Sequence, residues 1–370
     1  MAVTRQENGG WLYQQVINDL RGNIASGEYG VSSRLPSQVQ LAGQFGVSQI
    51  TVRRAIQELV DDGLLVARPG SGTYVAEPDD AVPTPSSAGT IAVVFQDLVG
   101  GYPLVKPMFA SMRDECGRLD YALQFLEIPS TVAEDARFRP VPALDIAGAL
   151  LPSPVDIGLV AELRRRGVPY VLLHNGLADG QSYCVACNYA SGVFDAARHL
   201  IEEGCRRLLL VTAAETRYSA GQMAVGFELA LRACGDAENK GDVIVASYAE
   251  ADTVAIVMRL LSEDNLPDAL ILASDAMAGA AVTTLLQAGI KVPDDVAVVG
   301  FGNLSVAGAG PLPLSAVDSH NERTGVLAMQ TLQRLIKGET PSEHRQVVRP
   351  ELVVRASSRR NPERDNGKRS

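Results

Sequence analysis

Ser48, Gln49, Thr51, Arg53 and Arg54 fall within seven residues, and a helix capped by Ser48 presents the other four on its polar side near its N-terminus. Two guanidiniums, an amide and hydroxyls in that arrangement suit contacts to phosphate oxygens and base edges. Arg53 fits a guanine in bidentate fashion or a phosphate, Gln49 favours an adenine, and the Ser48 cap with its backbone N–H groups suits a phosphate. Ser37, at the start of the preceding helix, has the same capping chemistry. Further on, Arg68-Pro69-Gly70-Ser71-Gly72 has no bulk at its tip, so the backbone at Gly70 and Gly72 can approach a minor groove closely, with Arg68 beside it.

The elements that must position these groups follow from apolar spacing. Leu12, Val16, Ile17, Leu20 and Ile24 recur at helical period, and Gly27 ends that helix. Pro36-Ser37 opens a second helix with Leu41 and Ala42 inward, and Gly46 breaks it. The helix capped by Ser48 buries Val52, Ile56, Leu59 and Val60, and Gly63 stops it. Short strands over 64–67 and 73–75 close a hairpin. Any one of these features fits an ordinary helical hairpin with solvated charges. In this order they specify a winged helix-turn-helix, whose third helix enters the major groove.

Residues 77–89, with Pro78, Pro83 and Pro85 among acids and serines, read as a semi-rigid linker. From Thr90 the pattern changes to short β-branched strands alternating with amphipathic helices. Strands are expected over 91–95, 146–151, 170–174, 207–212, 243–247, 269–273 and 296–301, and helices over 108–119, 160–166, 191–203, 220–233, 251–261 and 277–288. Such alternation implies parallel sheets covered on both faces. There are too many strands for one sheet, so two α/β lobes are expected, with ligand bound where strand carboxyl ends face a cleft.

The chain of 370 residues is 46% apolar and 21% charged, as expected of a well-packed fold in two or three domains. No apolar run approaches the ~20 residues of a membrane span, and residues 1–10 lack the apolar stretch of a signal peptide, so a cytoplasmic protein is expected. The net charge is −10, and residues 1–77 hold six arginines against seven acids, so any DNA-facing surface must be locally basic. Five scattered cysteines make no disulfide framework. Cys184 and Cys187 have CxxC spacing in a strand-like run, where they face opposite sides and suit neither zinc nor a redox pair. The four histidines lack metal-ligand spacing, and no metal or cofactor is expected. Gly300-Phe301-Gly302-Asn303-Leu304-Ser305 approximates a dinucleotide fingerprint but lacks its third glycine and following helix. No enzyme is expected.

Through Leu35-Pro36-Ser37, Gly46-Val47-Ser48, Thr51-Val52-Arg53 and Gly70-x-Gly72-Thr73, residues 11–77 resemble the winged helix of the GntR family of bacterial regulators. The resemblance implies DNA contacts from Ser37, Ser48, Gln49, Thr51, Arg53, Arg54, Arg68, Gly70 and Gly72. Gln38-Val39 and Gln49 stand where that family carries Glu-Arg and Arg, so a different operator preference is expected.

Residues 90–357 resemble the effector domain of the LacI family, through Ile146-Ala147-Gly148-Ala149-Leu150-Leu151, Asn188 with Gly192, Gly226-Phe227, Ser274-Asp275 and Gly289-Ile290-x-Val292-Pro293. The resemblance implies a type I periplasmic-binding-protein-like sensor of two α/β lobes behind the α+β winged helix, as in regulators of the arabinose-repressor type. The first lobe is expected at about 90–175 and 304–335, the second at about 180–302 and 345–357, with a disordered tail from 358 to 370.

Asp275 takes the place of a sugar-hydroxyl acceptor, or caps a helix. Met223, Gly302 and Cys187 replace the clamping arginine and two aspartates of that family. Tyr102, His174, Arg217, Tyr218, Gln222 and Asn303 are the candidates to complete the site, for a less hydroxylated or differently charged ligand. The function so implied is a homodimeric repressor on a palindromic operator, controlled by a sugar or sugar-like molecule. The alternative is a solute-binding receptor with no regulatory DNA role.

Overall fold

The computed structural model of the chain describes residues 16–17, 19–20, 23, 29–30, 33–61, 65–68, 72–75, 88–96, 106–128, 146–175, 179–212, 218–236, 239–304, 307 and 312–360. Two units divide it, Met1–Pro85 and Ser86–Ser370. Gly27, Gly63 and most of the expected linker lie outside the described residues.

In the first unit, α1 (Gln38–Phe45) starts at a capping box. The Ser37 hydroxyl accepts from the Gln40 N–H at 3.3 Å, and the Gln40 side chain accepts from the Ser37 N–H at 2.9 Å. Gly46 ends the helix in the left-handed region at φ 65°, which costs a glycine nothing. Two residues later Ser48 accepts from the Thr51 N–H at 3.2 Å and starts α2 (Gln49–Asp61). Leu41 of α1 and Val52, Ala55, Ile56 and Leu59 of α2 share one core with helical residues Val16, Ile17 and Leu20. Strands β1 (Leu65–Arg68) and β2 (Gly72–Val75) pair antiparallel, Leu65 opposite Val75. Residues 33–35 run along β2, the Leu35 N–H donating to Thr73 O at 2.8 Å and the Val75 N–H to Ser33 O at 2.9 Å.

The second unit holds two six-stranded sheets. The first contains β3 (Thr90–Gln96), β4 (Ala122–Ile128), β5 (Gly148–Pro152), β6 (Tyr170–Leu173), β7 (Tyr183–Cys187) and β13 (Arg345–Val348), in the order β13-β7-β6-β5-β3-β4, all parallel. Strand period decides which side chains meet which helices. Ile91, Val93 and Phe95 of β3 pack toward α3 (Lys106–Arg118) and α9 (Asn321–Ile336), whereas Ala92 and Val94 pack toward α4 (Ile157–Arg166).

The second sheet contains β8 (Arg207–Thr212), β9 (Lys240–Val245), β10 (Ala269–Leu272), β11 (Ala297–Phe301), β12 (Ser315–Asp318) and β14 (Glu351–Val353). Its order is β14-β12-β11-β10-β8-β9, parallel except for β14. Helices α5 (Tyr189–Glu202), α6 (Tyr218–Cys234), α7 (Glu250–Ser262) and α8 (Asp275–Gln287) cover it.

The chain passes between the sheets after β7, after β12 and after β13. Each passage comes later than the lobe boundaries read from sequence. Residues 183–187 belong to the first sheet because β7 pairs with β6, 315–318 to the second because β12 pairs with β11, and 345–348 to the first because β13 pairs with β7. The disordered tail expected from 358 is also corrected at its start. Ser358 is fully buried with its hydroxyl 2.7 Å from that of Ser315, and the Arg360 N–H donates to Glu203 at 2.7 Å.

Candidate nucleic-acid interface and ligand cavity

On α2 the alternation is sharp: Val52, Ala55 and Ile56 are buried, while Gln49, Arg53 and Arg54 are exposed and Thr51 is half-exposed. The helix therefore offers an amide and two guanidiniums to solvent in its first two turns. Arg53 Nε leans on Gln38 of α1 at 3.4 Å, which aims the guanidinium along the helix pair. The exposed Ser37 and Ser48 hydroxyls are occupied with capping, so each helix N-terminus is closed by its own serine. Arg68 is the last residue of β1, with its side chain outside the description, and Gly70 lies outside it altogether.

Gly72 sits at φ +125°, and a Cβ there would lie 2.7 Å from Arg34 Nε. The exposed Arg34 thus lies across the wing's second strand, a cation that sequence reasoning passed over. Its signal was position: a basic residue directly before Leu35-Pro36-Ser37. Val39, where an arginine was expected by resemblance, is 62% exposed and offers a methyl surface instead.

In the second unit a cavity of about 80 Å³ lies at the carboxyl ends of strands from both sheets, well above the ~10–15 Å³ that one water needs. Phe95 is the penultimate residue of β3, Pro152 ends β5 with Ser153 directly after it, and His174 follows β6. From the other sheet come Tyr248, Ala273, Phe301 and Ser319, each at or just after a strand end, with Tyr189 opening α5 and Met223 on α6. Tyr189 stacks on Phe301 with centroids 5.4 Å apart, and His174 meets Tyr189 edge-on at 5.5 Å.

Of the predicted ligand residues, His174 lines this cavity. Its Nδ1 accepts a hydrogen bond from the Cys187 N–H at 3.2 Å, so the ring proton of the neutral form sits on Nε2, which has no partner. Burial pushes its pKa down to about 4 and keeps the ring uncharged. Tyr218 is half-buried beside the cavity, its hydroxyl bonded by Arg345 and its ring under that guanidinium at 4.9 Å. Gln222 is half-buried on α6 and is not among the described lining residues.

Asn303 is committed elsewhere: its Nδ2 donates to Asp318 at 2.9 Å and its Oδ1 accepts from Arg355 at 2.7 Å. Asp275 lies at the start of α8 rather than capping it; Ser274 is the cap, accepting from the Met277 N–H at 3.2 Å. Asp275 is 1% exposed, its Oδ2 accepts from the Leu304 N–H, and its Oδ1 has no partner. Burial, opposed by that bond and by Arg355, raises its pKa to about 6. Tyr102 and Arg217 lie outside the described residues.

Sequence reasoning missed the aromatic wall of Phe95, Tyr189, Tyr248 and Phe301. Met223, flagged only as a lost arginine, is 1% exposed and lines the cavity. Cys184 and Cys187 are buried free thiols in separate cores, and burial pushes Cys187 up to about 12. Among the described residues no cluster could hold a metal, and no helix is long and apolar enough to cross a membrane.

Residues 12–75 match the model for bacterial regulatory proteins of the gntR family, and residues 197–358 match that of a periplasmic binding protein-like domain. The chain thus joins a gntR-type winged helix to a two-sheet periplasmic binding protein-like domain, a combination similar to that of transcriptional regulators of the GntR–LacI type.

The arabinose metabolism transcriptional repressor of Geobacillus stearothermophilus is 25% identical over 365 residues, 94% of this chain and 97% of that protein. The HTH-type transcriptional repressor PurR of Histophilus somni (strain 129Pt) is 28% identical over 51% of this chain; there the match spans 57% of the relative's length. Among solved structures, a transcriptional regulator CelR–cellobiose complex superposes with a TM-score of 0.66 at 25% identity, over 87% of this chain and 100% of that one.

Proposed function

We propose that the protein is a ligand-controlled repressor that binds a palindromic operator as a homodimer, acts in the cytoplasm and performs no catalysis. The observation that carries this reading is the exposed Gln49, Arg53 and Arg54 on α2 in a chain that also holds a cavity between two sheets. Thr51, Ser37, Ser48, Arg68, Gly70 and Gly72 complete the DNA-facing set. Two copies of α2 would lie about one DNA turn, ~34–36 Å, apart.

Ligand in the cavity alters operator affinity, and the relatives' names point to a sugar or sugar-like effector class. Coupling of this kind is typically ~1–3 kcal/mol and reciprocal, so operator DNA shifts effector affinity by the same factor. Selection of bound sequences from a random duplex pool, at a stated salt concentration, is the test. Enrichment of a palindrome is expected; no enrichment even at low salt overturns the reading.

A further inference from the structure

We infer that Arg34, seated on the wing at Gly72, is a phosphate-binding cation of the DNA interface, a contact outside both α2 and the glycine tip. The inference deepens the repressor reading and rests on it for its biological use, though not for the contact itself.

Three observations carry it. The first is where the charges fall along the first unit. None of the seven acids of residues 1–77 lies within 29–57 or 63–76, whereas Arg34, Arg53, Arg54 and Arg68, four of the six arginines, do. Those two stretches supply α1, the part of α2 that carries Gln49 and Arg53, and both wing strands. Glu58 and Asp61 stand at the other end of α2. A unit with no overall excess of cations is thus basic on the elements that face DNA, the distribution that a polyanion attracts.

The second is geometry. Residues 33–35 run antiparallel beside β2, with Arg34 opposite Tyr74. Tyr74 and Gly72 are two apart on β2, so strand period puts Arg34 on the face where Gly72 has no side chain. The guanidinium occupies that space: a Cβ at Gly72 would lie 2.7 Å from Nε, 3.2 Å from Nη2 and 3.3 Å from Cζ. Any larger residue at 72 would displace it.

The third is that this guanidinium is uncommitted. Arg34 is exposed and makes no ion pair or side-chain hydrogen bond among the described residues, whereas Arg53 leans on Gln38. Its planar fork of donors fits a phosphate in bidentate fashion. Arg34 stands three residues before Ser37, the cap of α1, and its guanidinium reaches β2, so one cation joins the helix pair to the wing. A contact of this kind fixes register on the duplex and carries no base preference.

The test uses the full chain and fluorescence anisotropy on two labelled duplexes of equal length. One carries the palindrome selected from the random pool, the other its bases scrambled, and salt is varied over roughly 50–200 mM. Arg34→Gln is expected to weaken both duplexes by the same factor, about three- to tenfold at low salt. It also flattens the slope of log affinity against log salt by about 0.9 for each protomer bound. Arg34→Lys keeps the slope, because the charge remains, and loses less affinity than Arg34→Gln. Gly72→Ala flattens the slope in the native background but not in an Arg34→Gln background. The Arg34 variants alone decide the matter if Gly72→Ala does not fold.

Native affinity and slope in Arg34→Gln overturn the inference. So does a loss confined to the palindrome with the slope unchanged, which is base reading. A merely structural role lowers the active fraction and leaves the slope alone, and that result also counts against the inference.

The native chain separates the two levels. If selection enriches no palindrome, the operator reading falls, and the scrambled duplex still decides whether Arg34 meets phosphate. If a palindrome is enriched and Arg34→Gln is silent, the operator reading stands and the inference alone falls. Native protein that binds neither duplex at low salt removes both.

Discussion

Asp275 Oδ2 accepts a 2.6 Å hydrogen bond from the backbone N–H of Leu304, which ties the first turn of α8 to the segment leaving β11. Its other oxygen, Oδ1, is buried without a partner, and a Cβ on Gly300 would lie 2.6 Å from it. The bond holds the carboxylate in place while burial penalises its charge.

The sign of the resulting pH dependence follows from the raised pKa. The folded carboxyl, at about 6, binds a proton that the unfolded one, near 3.8, has already lost. Stability contributed by this group is therefore highest below pH 4 and falls as pH rises to about 6, by up to roughly 3 kcal/mol. Asp275→Asn removes that titration while keeping an acceptor for Leu304. The unfolding free energy of the variant minus that of the native chain, from urea titrations, should rise by about 2–3 kcal/mol between pH 4 and pH 7. A flat difference across that window would rule the assignment out.

Arg53→Ala should weaken operator binding about tenfold or more and lower the salt-dependence slope by about 1 if the contact is to phosphate. A loss confined to one base position, with the slope unchanged, would instead identify base reading. Because Arg53 belongs to the first unit, ligand affinity should not move; equal operator affinity would remove Arg53 from the interface.

Gly226 and Gly221 share α6 but predict opposite signs. A Cβ at Gly226 would stand 2.0 Å from the Ala190 carbonyl oxygen, backbone against backbone, whereas nothing lies within 4 Å of one at Gly221. Gly226→Ala should cost at least ~3 kcal/mol, at or above the upper end of overpacking. Gly221→Ala should gain up to about 1 kcal/mol from helix propensity. Thermal melts of the two variants decide this, and a Gly226→Ala protein as stable as the native chain would mean α5 and α6 pack further apart.

Asp318 accepts from Asn303 at 2.9 Å and from the His320 N–H at 2.8 Å, where the chain leaves β12 for α9. Asp318→Ala should lower stability by about 1–3 kcal/mol and raise amide exchange over 319–321. Unchanged exchange there would mean the passage is held by packing alone.

Where apolar period and turn residues agreed, the elements were legible in sequence. The strand over 207–212 was read with the bounds it has, because Leu208, Leu209, Leu210 and Val211 are flanked by Arg206 and Arg207 on one side and, beyond Thr212, by the polar run Glu215-Thr216-Arg217 on the other. The strand expected over 243–247 instead begins at Lys240, since Lys240, Gly241 and Asp242 look like loop but pair with β8 as an exposed edge. Strand β4, at the opposite edge of the first sheet, was missed for a related reason: Gln124 and Phe125 are exposed, so burial does not mark it.

The exposed polar face of α2 was visible because helical period separates Val52 and Ile56 from Arg53 and Arg54. The cavity was much less so. Phe95, Tyr189 and Phe301 each sit at the boundary of a strand or helix, and nothing local distinguishes an aromatic that lines a chamber from one that fills a core. Met223 carried a signal only as an absence; in the structure its sulfur accepts from the Thr212 hydroxyl and it lines the cavity together with Tyr189 and Phe301.

The late placement of β13 and β14 has a consequence for biosynthesis. β13 borders β7 in one sheet and β14 borders β12 in the other, so a nascent chain that has emerged as far as β12 holds two sheets, each with an uncovered edge. The winged-helix core, by contrast, is complete once β2 leaves the ribosome. A message broken in its last third would thus yield a DNA reader with no finished sensor, and two open strand edges to mark it for chaperones and proteases before it could occupy an operator.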